Sequence, residues 1–72
     1  MNIRFNTIEI EQESYNGWAV RGKDRDTGRW WYLVSCRGSQ APEWSSDYAH
    51  AKLCSVTTAA RLVTKIFDYY GM

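Results

Sequence analysis

Seventy-two residues, 44% of them hydrophobic and including four Trp, five Tyr and two Phe, supply one dense core, which excludes a multidomain machine and a disordered chain. Nine basic residues against eight acidic ones leave a net charge of +1. That balance fits neither a phosphate binder with a marked basic excess nor an acidic nucleic-acid mimic, and it shifts weight towards a protein partner. Two cysteines, Cys36 and Cys54, are too few for a disulfide scaffold, and no run approaches the ~18 apolar residues of a membrane span. The N-terminus shows no apolar leader segment, so the expectation is a cytoplasmic chain of one domain, residues 1–72, with reduced thiols and no membrane contact. A single Cys36–Cys54 bridge is left open.

Ile8-Glu9-Ile10-Glu11-Gln12-Glu13 alternates with period two and predicts a half-buried strand. Ser14-Tyr15-Asn16-Gly17 signals a turn, and Trp18 to Lys23 predicts a second strand. Asp24-Arg25-Asp26-Thr27-Gly28 is a second turn, followed by a third strand from Arg29 to Arg37 centred on Trp30-Trp31-Tyr32-Leu33-Val34. Gly38 to Asp47 holds the only Pro and reads as an irregular connection.

Register follows from loop length, because a slip of one residue turns every side chain to the opposite face. A three-residue loop Tyr15-Asn16-Gly17, with Gly17 in the left-handed region, pairs Ile10 with Gly22 and Gln12 with Val20. It sets Glu11 opposite Arg21 and Glu9 opposite Lys23, a favourable cross-strand arrangement. A three-residue loop Asp26-Thr27-Gly28 then pairs Gly22 with Tyr32, Val20 with Val34 and Trp18 with Cys36. The expected inner face is Ile8, Ile10, Trp18, Val20, Trp30, Tyr32, Val34 and Cys36. The expected outer face carries the three glutamates, Ala19, Arg21, Lys23, Arg29, Trp31, Leu33, Ser35 and Arg37.

Near the C-terminus, Ala60, Val63, Ile66 or Phe67, and Tyr70 recur at helical spacing, with Gly71 as a stop. The helix is expected to begin near Thr57 or Thr58 behind a Ser or Thr cap, with Arg61, Lys65 and Asp68 towards solvent. Residues 48–55 read either as a backward extension of that helix or as a short fourth strand over Ala51–Ser55, and the strand is preferred. The fold class is therefore α+β: a three- or four-stranded antiparallel meander packed on one C-terminal helix, ββββα or βββα.

The expected outer face offers the clearest candidate site. Trp31 and Leu33 flanked by Arg21, Lys23, Arg29 and Arg37 have the composition of an interface hot spot. Trp31 is the expected centre. The alternative is that Trp31 and Leu33 lie under the 38–48 loop or against a second copy of the chain. The segment Arg21 to Arg37 holds five cations against two aspartates, which opens a second reading as a DNA-binding accessory module using the basic hairpin 17–37. Gly17-Trp18-Ala19-Val20-Arg21 and Asp24-Arg25-Asp26-Thr27-Gly28-Arg29 resemble the opening strand and turn of the three-strand-plus-helix DNA-binding domains of some phage integrases. The resemblance covers about a sixth of the chain and implies contact with DNA through the hairpin; the helix, unlike the hairpin, is not basic.

His50, Cys54 and Cys36 are the only soft metal ligands and the only nucleophile–base combination. Without a paired Cys-x-x-Cys or a glycine-rich phosphate loop, no metal, no cofactor and no catalysis are expected. The leading expectation is a small non-enzymatic protein that occupies a surface of a larger protein assembly, in the manner of phage-type inhibitors and anti-defence proteins such as anti-CRISPRs.

Overall fold

The computed structural model describes residues 4–15 and 17–71. Four antiparallel strands run in chain order, β1 (Phe5–Ser14), β2 (Gly17–Asp24), β3 (Trp30–Ser35) and β4 (Glu43–Ser45), and one helix, α1 (Val56–Tyr70), follows. This is the expected α+β meander. Its fourth strand is Glu43–Ser45, inside the stretch expected to be irregular. The preferred strand at 51–55 is instead an extended segment with a single bridge residue, Cys54.

That segment has a definite role. β2 and β3 pair only over Arg21–Lys23 and Trp30–Tyr32. Beyond that, Trp18 and Cys54 exchange both backbone hydrogen bonds, at 2.8 and 3.0 Å, while the Lys52 N–H donates to the Leu33 carbonyl at 2.9 Å. Residues 52–54 thus supply to both diverging strands the partners that buried backbone groups require. Before it, a 3₁₀ turn at Tyr48–His50 is capped by Asp47, whose carboxylate accepts from the Ala49 N–H at 2.9 Å.

The two hairpins depart from their expected registers in different ways. In the first, Ile8 pairs with Gly22, Glu9 with Arg21, Ile10 with Val20 and Gln12 with Trp18. This is a shift of two residues, so each side chain keeps its expected face. The cause is a bulge between Gln12 and Ser14, after which Ser14 pairs with Gly17. Gly17 is not left-handed; a Cβ there would lie 2.5 Å from the Ser14 hydroxyl. Of the expected loop, Asn16 lies outside the described residues.

In the second hairpin Gly22 pairs with Trp31, Arg21 with Tyr32 and Lys23 with Trp30. Here the shift is one residue, and β3 is turned over. Asp24 is the reason. Its N–H donates to the Arg29 carbonyl and its carbonyl accepts from the Gly28 N–H, while its carboxylate takes the Asp26 N–H at 2.8 Å. These bonds close a four-residue loop, Arg25–Gly28, with Gly28 at φ 74°. Leu33, expected outside, is therefore 1% exposed in the core, and Trp31 joins it on the inner side. Trp30 and Tyr32, expected inside, stand on the outer face. A second bulge, between Leu33 and Ser35, turns the strand again, so that Cys36 packs against the core as expected.

Val20, Leu33, Ala59, Leu62 and Ile66 form the core, with Ile8, Ile10, Trp18, Trp44 and Val63 packed around them. Full burial of Val20, Leu33 and Ile66 contributes about 1.5–3 kcal/mol each. The helix stripe is Ala59, Leu62 and Ile66: of the expected series Ala60, Val63, Ile66 or Phe67, and Tyr70, Ile66 is in the stripe and the rest lies one position or more off it. Ala60 and Phe67 are exposed, whereas Val63 is partly buried against the core. The helix begins behind Ser55, whose hydroxyl accepts from the Thr58 N–H at 3.2 Å, and ends at left-handed Gly71. Arg61, Lys65 and Asp68 are exposed, as expected.

Gly22 fits this packing by lacking a side chain. A Cβ there would lie 2.5 Å from the Phe5 ring and 2.8 Å from Ile8. A register shift between Phe5 and Thr7 brings Phe5 to the inner side. Its ring stands 4.5 Å from Trp44, whose indole N–H donates to the Tyr70 hydroxyl at 3.1 Å. This aromatic group closes the end of the core.

Candidate functional site

With α1 packed on the inner side of β1 and β2, the other side of the sheet presents a row of charged and aromatic side chains. Its centre is Arg21. The Arg21 Nε donates to Glu9 Oε1 at 2.7 Å, and its terminal nitrogens pair with Glu9 and Glu11. The same guanidinium lies 4.0 Å from the centroid of the Trp30 ring. A planar cation between two carboxylates and an indole gains both charge-assisted bonds and a cation–π contact. Partial burial works against the charged form of Arg21. The Glu9 hydrogen bond and the charges of Glu9 and Glu11 outweigh it and hold the guanidinium above its ordinary value.

Lys23 also approaches the indole, its ammonium 5.8 Å from the Trp30 centroid. On β3, Tyr32 meets Tyr48 of the 3₁₀ turn edge to face at 5.5 Å. Desolvation, followed by the Glu13 hydrogen bond and charge, pushes the Tyr48 phenol up. The face is thus a set of side chains in mutual contact, Glu9, Glu11, Arg21, Trp30, Tyr32 and Tyr48.

Of the expected site residues, the structure brings together Arg21 and Lys23. Leu33 lies in the core and Trp31 on the inner side, for the reason given by the Asp24 turn. Arg29 and Arg37 are exposed at opposite ends of β3, roughly 20 Å or more apart along the strand. Trp30, Tyr32 and Tyr48 are the members that sequence reasoning missed. The Trp30-Trp31 pair guarantees one indole on each side of the sheet, and only the loop length decides which.

The other candidate chemistry is dispersed. His50 Nδ1 is 3.1 Å from the Ser45 hydroxyl, and the Cys54 thiol donates to the Trp18 carbonyl at 3.6 Å. Burial pushes that thiol up, away from a reactive thiolate. Both cysteines are free. Among the described residues no three of His, Cys, Asp and Glu converge as metal ligands, and no helix is long and apolar enough to cross a membrane. A shallow groove of about 330 Å³ runs between Cys36, residues 38–40 and the Lys65, Asp68 and Tyr69 end of α1.

No family model, curated protein or solved structure matches the chain.

Proposed function

We propose that the chain is a non-enzymatic interaction protein that acts in the cytoplasm by occupying a surface of a larger protein assembly, with the outer sheet face as its contact. The observation that carries this reading is the Arg21–Trp30 stack braced by Glu9 and Glu11. Arg and Trp stacked together on the sheet face opposite α1 form the kind of anchor that dominates protein–protein binding energy. Low ordering cost on binding follows from the same contacts. Small proteins that work by surface occupation alone include phage-type inhibitors and anti-defence proteins such as anti-CRISPRs, and that is the role proposed.

The same geometry weighs against the DNA-binding alternative. Two carboxylates already engage the Arg21 fork, so it is not offered to phosphates. Lys23, Arg25 and Arg29 are the cations left at the β2–β3 hairpin.

A tagged pull-down from bacterial lysate, split into nuclease-treated and untreated halves, tests the reading. The expected result is a stoichiometric protein retained after nuclease treatment. Loss of everything bound on nuclease treatment, together with affinity that falls steeply with salt, would instead assign the function to nucleic acid and to Lys23, Arg25 and Arg29.

A further inference from the structure

The two edges of the sheet are guarded differently. β4 is three residues long and follows the buried Pro42, two of the usual devices that blunt an edge. β1 is ten residues long. It contains neither Pro nor Lys, and its bulges lie near its ends, so Ile8–Gln12 pairs regularly with β2. In the strand order β1 is terminal, and among the described residues nothing pairs with its far side. A regular terminal strand leaves alternate N–H and C=O groups pointing outward.

One flank of α1 lies towards this edge. The helix packs on β1 and β2, and Lys65 and Tyr69 flank the groove beside Cys36 and residues 38–40. At 100° per residue, Val56, Ala60, Thr64 and Phe67 therefore face the opposite way, past β1. Val56 is 48% exposed and Phe67 39%. A helix about 10 Å across spans roughly two strand spacings of 4.8 Å, so α1 covers β1 and β2 and leaves the place beyond β1, where one more strand would lie, open.

We propose that β1 accepts an extended segment of the protein partner as an added antiparallel strand, one that alternates basic with apolar residues. The inference rests on the protein-partner reading above and names the mode of contact. The added strand's apolar side chains turn inward beside Ile8 and Ile10, on the side of the sheet that carries α1. Its basic side chains turn to the outer face beside Glu9, Glu11 and Glu13, whose three charges face the single Arg21 that bridges two of them. A second copy of this chain fits poorly. A two-fold antiparallel pairing of β1 centred anywhere between Glu9 and Glu13 that keeps both helices on one side sets glutamate opposite glutamate, which is destabilising.

The test uses the whole chain and a short blocked, fluorescently labelled peptide of alternating lysine and valine. Saturable binding at low salt, with slowed exchange of those β1 amides that exchange freely in the apo protein, is the expected result. N-methylation of alternate peptide residues should abolish binding in one phase and spare it in the other, since only one row of peptide amides faces β1. A glutamate–valine peptide and the Glu13→Lys variant, which leaves the Arg21 pairs intact, should each bind the respective probe about tenfold or more weakly than the original pair. Equal binding of both N-methylated phases, equal binding of the glutamate peptide, or unchanged β1 exchange would overturn the proposal. So would a concentration-dependent dimer that itself protects β1, because it would assign the edge to a second copy. Because the probe is synthetic, its result is independent of whether a cellular partner is retained by the outer face.

Discussion

The two sides of this sheet hold comparable numbers of large side chains but are organised on different principles. On the inner side, Val20, Leu33 and Ile66 lie in a core closed by α1, where stability scales with apolar area and fit. On the outer side, Arg21 ties Glu9, Glu11 and Trp30 together in contact with solvent, where water and salt screen much of the attraction. The difference teaches that the first side determines whether the chain folds, while the second sets which surface it shows. Substitutions on the two sides should therefore separate stability from recognition.

The largest effect is expected from Leu33→Ala. Its side chain is 1% exposed, so truncation should cost about 2–5 kcal/mol, read as a lower urea midpoint. A loss below ~1 kcal/mol would break the comparison by showing Leu33 outside the core. Next, Gly22→Ala drives a methyl group into the Phe5 ring and Ile8. Overpacking of that kind costs about 1–3 kcal/mol, and pairing it with Phe5→Leu should recover part of the loss.

On the outer side the changes should be smaller. Arg21→Gln leaves Glu9 and Glu11 without their shared cation, yet the exposure of both carboxylates limits the cost to about 1 kcal/mol or less. That cost should shrink further as salt is raised from 0.05 to about 0.5 M, whereas the Leu33→Ala cost should not. The smallest effect concerns the turn that sets the comparison. The Asp26 backbone N–H, with help from Thr27, holds the Asp24 carboxyl below its usual range. A depressed folded value means that the stabilisation is present above the unfolded value near 4 and is lost as pH falls through the folded one. Stability should therefore drop below about pH 4, and Asp24→Asn should flatten that part of the curve; an unchanged pH profile would remove Asp24 from the turn's energetics.

Much of the fold was legible because period-two alternation in Ile8–Glu13 and helical spacing before Gly71 are local signals. The first hairpin shows the tolerance of that reading: a bulge near Glu13 moves the register by two, and Ile8, Ile10, Val20 and Arg21 still face as expected. The second hairpin shows its limit. Asp26-Thr27-Gly28 and Arg25–Gly28 are equally reasonable loops on paper, and the choice rests on hydrogen bonds of Asp24 that only the closed turn displays. One residue of loop length exchanged Trp31 and Leu33 for Trp30 and Tyr32 at the candidate site. β4 was hidden for another reason. Glu43-Trp44-Ser45 is too short to show a period, and its pairing depends on Leu33 and Tyr32, which are distant in sequence.

The most direct test of the outer face as the recognition surface is retention of the nuclease-resistant partner by Trp30→Ala, measured by quantitative pull-down on protein shown by circular dichroism to be folded. Loss of an anchor of this type costs about 2 kcal/mol or more, so retention should fall at least tenfold while the protein stays folded. Retention within a factor of two of the unmodified protein would contradict the account and move the contact away from the Arg21–Trp30 stack.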